Sequence, residues 1–468
     1  VKIIRKRLAR NLDPEAGLTL LEVIIAMMIF AMVAAGVAFV VTSSLSTTRD
    51  AKARVVAANL AAKDIDYARS VDDVTAVVGQ TTTTTLQGVT YTVTRTTGWI
   101  SSDGADTTCG SPNGVLLYKH VNERVTWSNA RSSKSQVQAD TLIAPNGRLT
   151  DPAMGTILVK VLSASGVGVP GVTVTAVPSA SSPGGAAALT TTPDVTDSDG
   201  CTYILKVAPG NYDVSVSKTG YLSSAQQAIP IDSAIAVVAG DSSEADFQYD
   251  NAAVFPVDYA VNSTVANTQF SPGMKFNFVS ENGIYNPSPV IVVPANRTAN
   301  ISLHPFSHGY SAYAGDYVAP TKVNGVSQQS CVSPDPSAWL VNAAGVAGRA
   351  QQTVAASPGS TSAVHIPVPM GVVTVNAPSV YLTAVSATAA ASVGDPGCGI
   401  AMTYKFTTKT STTPTTLALP FGTWQLYSGS TAGAKSTLVA TSAITLPAGS
   451  PTNTAAGVFT LDPRVIAP

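Results

Sequence analysis

From Val23 to Val41 every side chain is apolar or glycine. A helix of that length, rising about 1.5 Å per residue, matches the hydrocarbon core of a bilayer. The stretch before it is basic, with Lys2, Arg5, Lys6, Arg7 and Arg10, and the first charge after Glu22 is Arg49. That asymmetry predicts a single spanning helix with its amino terminus in the cytoplasm, and export of the rest of the chain. A secretory signal carries its small-residue cleavage site after the apolar core. Here the candidate, Gly17, lies before the core, so cutting leaves the helix on the mature chain. Glu22 stands just inside the apolar run, where a charge costs on the order of 2.5–3.5 kcal/mol and is usually paired and functional. Cleavage after Gly17 would free the amine of Leu18, and such an amine on a neighbouring chain is a partner for Glu22.

The run Gly17-Leu18-Thr19-Leu20-Leu21-Glu22 places a hydrophobic residue after the glycine and glutamate at the fifth mature position. It resembles the type IV prepilin family. The resemblance implies a prepilin peptidase that cleaves after Gly17 and methylates the amine of Leu18, and a role for Glu22 in filament assembly. It also implies other pilin subunits as partners through the helix, the membrane before assembly, and a prokaryotic pilus or cell surface afterwards.

Residues 1–17 are thus read as a cytoplasmic leader and 18–70 as one long helix whose first half spans the membrane. From Thr42 to Ser70 there is no proline or glycine, and Val56, Leu60 and Tyr67 form a stripe at helical spacing. Residues 71–150 alternate like an antiparallel sheet: Val89, Tyr91 and Val93 against Thr90, Thr92 and Thr94, then Val121, Val125 and Trp127 on one face. A one-faced sheet needs a cover, which the helix supplies; a helix laid on an antiparallel sheet is also the pilin fold. Ala144-Pro145-Asn146-Gly147 and Asp151-Pro152 read as a linker.

Beyond it the chain is rich in Thr, Ser, Val, Gly and Pro, which favours short strands and turns. The fold class is therefore an α+β pilin-like unit followed by all-β sandwich modules, at 155–250, 251–368 and 369–468. Each module carries a strand, a proline-containing turn with glycine, and an aromatic residue: Pro209-Gly210-Asn211-Tyr212, Pro305 to Gly309-Tyr310, and Pro420-Phe421-Gly422-Thr423-Trp424. The aromatic residue is expected to plug the core. The 155–250 module resembles the transthyretin-like sandwiches that include carboxypeptidase regulatory-like and collagen-adhesin B-type repeats. Some of these form an internal isopeptide bond, for which Lys160 and Asn251 are the candidates, although Ser215 and Ser217 stand where the catalytic acid is expected. The final Asp462-Pro463-Arg464 and the tail are expected to fray.

Four cysteines, Cys109, Cys201, Cys331 and Cys398, in an exported chain suggest disulfides with three connectivities open. Sequence order favours Cys331 with Cys398 and Cys109 with Cys201. His304 and His308 have the spacing of a helical metal pair, but Pro305 and Gly309 forbid the helix. Asp197-Ser198-Asp199-Gly200 lacks the closing glutamate of a calcium loop. No nucleophile elbow, phosphate loop or dinucleotide fingerprint is present, so no catalytic residue, metal or cofactor is assigned and the chain is not read as an enzyme. A net charge of −1 with 12% charged residues leaves no basic stripe for nucleic acid, which weighs against a DNA-capturing competence pilin. The expected function is a minor pilin with a large head for display of, or adhesion to, a surface or matrix ligand. The alternatives are a pseudopilin of a type II secretion system and a membrane-anchored surface protein.

Overall fold

The computed structural model describes residues 19–468 apart from 113, 129, 131–134, 147–148, 264, 266, 287–292, 294–295, 388–393, 452–456 and 466–468. The chain divides into two compact units, Val1–Gly110 with Leu116–Arg148, and Ser111–Val115 with Leu149–Pro468.

In the first unit, helix α1 runs unbroken from Leu20 to Ser70. Its second half lies on an antiparallel sheet of β1 (Gln80–Leu86), β2 (Val89–Ser101), β4 (Leu116–Trp127) and β5 (Gln136–Ile143), in the order β1-β2-β4-β5, with the short β3 (Asp106–Thr107) on β2. The alternation expected from sequence is realised: Tyr91, Val93, Val121, Val125 and Trp127 are buried. The helix stripe is the expected one only in part, since Val56 and Leu60 pack against the core and Tyr67 does not. Ala53, Ala57, Ala61, Ile65 and Ala68 are buried, Val56 and Leu60 are half-buried beside them, and Tyr67 is 58% exposed with the Arg95 guanidinium 5.4 Å from its ring centre. Small residues let the helix backbone approach the sheet closely, so the contact line is written in alanine and the larger side chains flank it.

Between helix and sheet lies a buried charge cluster. Arg95 on β2 stands opposite Glu123 on β4. Its guanidinium is 2.7 Å from Asp64 of the helix and 3.1 Å from Glu123, which is fully buried. Two carboxyl groups thus share one cation. Burial first, then the hydrogen bond and charge of Asp64, push the Glu123 carboxyl up to about 8 against the pull of Arg95. The folded unit therefore holds a proton that the unfolded chain releases above its ordinary value of 4.5. A folded value raised in this way stabilises fully at low pH, and the contribution is lost as pH rises through the window from 4.5 to about 8. Hydrogen exchange of β4 amides is expected to quicken from pH 5 to pH 8.5 beyond the intrinsic rate, and the extra quickening to vanish in Glu123→Gln. An unchanged excess in that variant would remove this group as its source.

In the second unit, residues 155–251 form a two-sheet sandwich. Its strands are β6 (Gly155–Leu162), β7 (Thr173–Pro178), β8 (Cys201–Val207), β9 (Gly210–Ser217), β10 (Tyr221–Ser223), β11 (Ile231–Val237) and β12 (Ser242–Asn251). The sheets run β10-β12-β6-β8 and β11-β9-β7, and β12 is parallel to β6. Ile157, Val159, Val161, Val174, Val214, Val216 and Phe247 fill the space between them.

Residues 251–368 and 369–468, expected as two modules, share one continuous buried cluster that includes Phe255, Phe278, Met370, Leu382, Leu417 and Leu461. Ile366–Val368 pairs with Ala253–Tyr259 inside the first of these stretches, as a closing strand, while an isolated bridge from Gln269 to Leu417 crosses the expected boundary. Gln226 in the sandwich donates to the Tyr310 hydroxyl at 2.7 Å and accepts from the His304 amide at 2.8 Å.

The three aromatic plugs are all fully buried, and each donates to a nearby backbone carbonyl: Tyr212 to Ala208 (3.0 Å), Tyr310 to His304 (2.6 Å) and Trp424 to Pro420 (3.0 Å). Gly210, at φ +145°, is required in the first of these turns, since a Cβ there would sit 2.2 Å from the Ala186 nitrogen. The tail does not fray over the described residues. Val458–Leu461 pairs with Gly422–Gln425 in the sheet. Arg464 then makes a buried ion pair with Asp462 at 2.6 Å and lies 5.2 Å from the Trp339 ring centre. A terminal strand with partners on the sheet is held by the same ladder as an internal one.

Candidate assembly site on the amino-terminal helix

The helix begins where Thr19 caps it. The Glu22 amide donates to the Thr19 hydroxyl at 3.3 Å and to its carbonyl at 3.0 Å, which satisfies a donor that an α-helix start leaves open. Glu22 is the acidic residue of the first turn, favourably placed against the helix dipole, and its side chain is exposed. Gly17 and Leu18 lie outside the described residues.

The rest of the apolar run is bare. Leu20 is 79% exposed, Phe30 75% and Phe39 73%, and no residue from Leu20 to Thr42 is buried by the chain itself. A helix apolar on every side with nothing folded over it needs lipid or other helices around it. By length and composition it is able to cross a membrane. The change to a watery setting is handled locally: the hydroxyls of Thr42, Thr47 and Thr48 donate to carbonyls four residues back, at 2.9 Å each. Gly36 produces no break, and a Cβ added there would meet nothing within 4 Å.

The other sequence candidates fall apart or resolve into structure. The Lys160 amine meets Glu244 at 2.8 Å and Asp246 at 3.0 Å, while Asn251 stands opposite Tyr221 farther along β12, so the structure does not bring Lys160 and Asn251 together. His304 is fully buried with Nδ1 2.9 Å from the Leu222 carbonyl oxygen, whereas His308 is exposed and 2.9 Å from Glu281. Asp197 accepts from the amides of Asp199 and Cys201 at 2.9 and 2.8 Å, which makes its loop a turn. Among the described residues no group of three or more His, Cys, Asp and Glu is placed to hold a metal ion. Cys331 is bonded to Cys398, and Cys109 and Cys201 are each disulfide-bonded. Sequence reasoning missed the Arg95–Glu123–Asp64 cluster. Its signal was available: Arg95 and Glu123 fall on the apolar faces of their strands, in phase with Val93 and Val125.

Residues 13–38 match the family model of the prokaryotic N-terminal methylation motif. The chain carries that motif. Residues 156–249 match the carboxypeptidase regulatory-like domain, in agreement with the β6–β12 sandwich. No curated protein matches the chain. Among solved structures it is similar to the Bacillus anthracis TIE protein, at 11% identity over 82% of this chain and 71% of that one, and to a Streptococcal ancillary pilin, at 12% identity over 51% and 76%; both TM-scores are 0.18, too low to carry fold or function across. The motif implies processing by a prepilin peptidase and assembly with other pilins. Together with the bare helix it fits a membrane-anchored, pilus-associated surface protein.

Proposed function

We propose that the chain is a minor pilin. It waits in the inner membrane with its amino terminus in the cytoplasm, loses residues 1–17, and enters a type IV pilus through its helix. Its role is structural and not catalytic. The observation that carries the reading is the methylation motif running directly into a helix that its own chain leaves uncovered. Cleavage keeps that helix on the mature protein, and packing against the helices of other subunits covers it. The head supports a rare position: residues 149–468 add a far larger mass than a repeating subunit needs and would crowd a filament if every copy bore it. We read that mass as a displayed adhesive domain.

The test is mass spectrometry of the amino terminus on protein from sheared surface filaments. The expected result is a chain that begins at N-methylated Leu18. Uncut protein confined to membranes would return the chain to a plain anchored surface protein. Fab fragments against residues 155–468 are expected to block attachment while pili persist, and unchanged attachment would remove the adhesive role.

A further inference from the structure

Strand β1 is the outer end of the sheet in the first unit. Among the described residues only β2 pairs with it. Natural edge strands are guarded against pairing by a charge, a proline or a bulge. Gln80-Thr81-Thr82-Thr83-Thr84-Thr85-Leu86 has neither charge nor proline, and its register with β2 runs without interruption from Gln80↔Arg95 to Leu86↔Val89. Every residue of it is exposed except Thr84, which is half-buried.

The hairpin fixes which backbone groups are free. Gln87 and Gly88 form a two-residue turn with φ of 52° and 76°, so Leu86–Val89 closes the ladder as a hydrogen-bonded pair. Bonded and non-bonded pairs then alternate. Gln80, Thr82, Thr84 and Leu86 turn their N–H and C=O groups towards β2, and Thr81, Thr83 and Thr85 turn theirs to the open edge. One observation checks this phase. Thr90, opposite Thr85, donates its N–H to the Ser128 hydroxyl at 3.0 Å and accepts the Ser128 N–H at 2.8 Å, on its other side. Its backbone has nothing left for Thr85, which it meets only through the two hydroxyls, 3.2 Å apart.

We propose that this edge pairs with β1 of a second copy of the chain, antiparallel and centred on Thr83; the two-fold axis reverses the helix of one copy relative to the other, so the partner is a copy anchored in a different filament or membrane. The strand is its own complement. A two-fold axis at Thr83 sets Thr83 opposite Thr83 and Thr81 opposite Thr85, so the outward groups of each copy meet those of the other in three bonded pairs. Thr82 falls opposite Thr84. Cross-strand threonine pairs are favourable and no like charges face each other. The hydroxyl face made by Thr81, Thr83 and Thr85 with Thr90, Thr92 and Thr94 then continues across the joint. A partner of another sequence would gain the backbone bonds but not this match, and main-chain pairing along an exposed edge is an established mode of recognition.

Cysteine scanning of the full-length chain in detergent tests it. None of the native cysteines is free, so an introduced thiol is the only one available. Thr83→Cys is expected to form a covalent dimer on mild oxidation, since bonded antiparallel partners have Cα atoms about 5.5 Å apart, within disulfide reach. Thr81→Cys alone is expected to stay monomeric, because the proposed register holds its two copies about 14 Å apart at roughly 3.4 Å per residue. Mixing Thr81→Cys with Thr85→Cys is expected to restore the dimer. Thr83→Lys, at an exposed position, is expected to abolish association of the otherwise native chain without lowering its unfolding temperature. A monomeric Thr83→Cys, equal cross-linking of Thr81→Cys and Thr83→Cys, or cross-linking only to a different protein would each overturn the pairing.

Discussion

Glu22→Ala is expected to leave the chain inserted, cleaved and folded, and to lower its share of sheared filaments by on the order of a hundredfold, the effect of losing a buried ion pair worth about 3 kcal/mol. Glu22 is held one turn into a helix whose start is fixed by the Thr19 cap. Around it the helix surface is apolar and uncovered by the chain. In lipid this carboxylate is a liability, and removing it makes insertion easier, so membrane levels of the variant should not fall. In a bundle of like helices the same carboxylate is an asset once a neighbour's new amine lies beside it. The two environments thus give the substitution opposite signs: neutral or favourable before assembly, unfavourable after it. Mass spectrometry of membrane and filament fractions from the same cells reads both. A drop in both fractions would mean a folding or insertion defect, and equal shares of wild type and variant in filaments would remove Glu22 from assembly.

The part of the fold that was legible in sequence is the part written in short periods. Val89, Tyr91 and Val93 on β2, and Val121, Val125 and Trp127 on β4, alternate with polar residues, and that pattern defines a strand with one dry face. The helix was legible for the same reason, but its contact line only in part. Alanine carries little weight in a hydrophobic pattern, so Val56, Leu60 and Tyr67 drew attention from the alanines at 53, 57, 61 and 68 that touch the sheet. A small side chain marks where two backbones approach, which becomes visible only with both partners in place.

Contacts between residues far apart in sequence leave no such trace. The boundary expected at 368/369 rests on a new strand starting at Gly371, which does exist. What the sequence does not record is that Gln269 bridges to Leu417 across that boundary and that one core encloses both halves. The candidate assembly residue stood out in sequence because Glu22 precedes an otherwise unbroken apolar run. The free edge of β1 did not, since five threonines in a row show composition, while strand order decides which strand lies at the end of the sheet.

Replacing both Cys331 and Cys398 by serine is expected to lower the stability of the 253–461 core by about 4 kcal/mol, the chain-entropy value for a closed loop of this size. The bond spans 67 residues of sequence. Few regular elements flank Cys331: the short pair Lys322–Val323 with Val326–Ser327 just before it and, inside the closed loop, a turn at Pro336–Ala338. Those residues are held mainly through the bridge and its neighbours. Cys331 exchanges two backbone hydrogen bonds with Val318 at 2.9 Å, and Gly399 donates to Ser330 at 2.8 Å. Buried Asp395 accepts from the Ser333 hydroxyl, the Gly397 amide and the Thr423 hydroxyl, tying the loop to the strand Gly422–Gly429. Asp395→Ala therefore provides the comparison. It leaves buried donors without an acceptor, at about 1–3 kcal/mol each where no water replaces it, yet keeps the covalent link. The two variants should differ in kind. Loss of the bond raises the entropy of the unfolded chain and should spread the destabilisation over all amides that exchange by global unfolding, including those of Val458–Leu461. Loss of Asp395 should fall first on Gly422–Gly429 and the 331–339 segment. A serine pair that unfolds within about 1 kcal/mol of the wild type would show that the unfolded chain is already confined there without the bond.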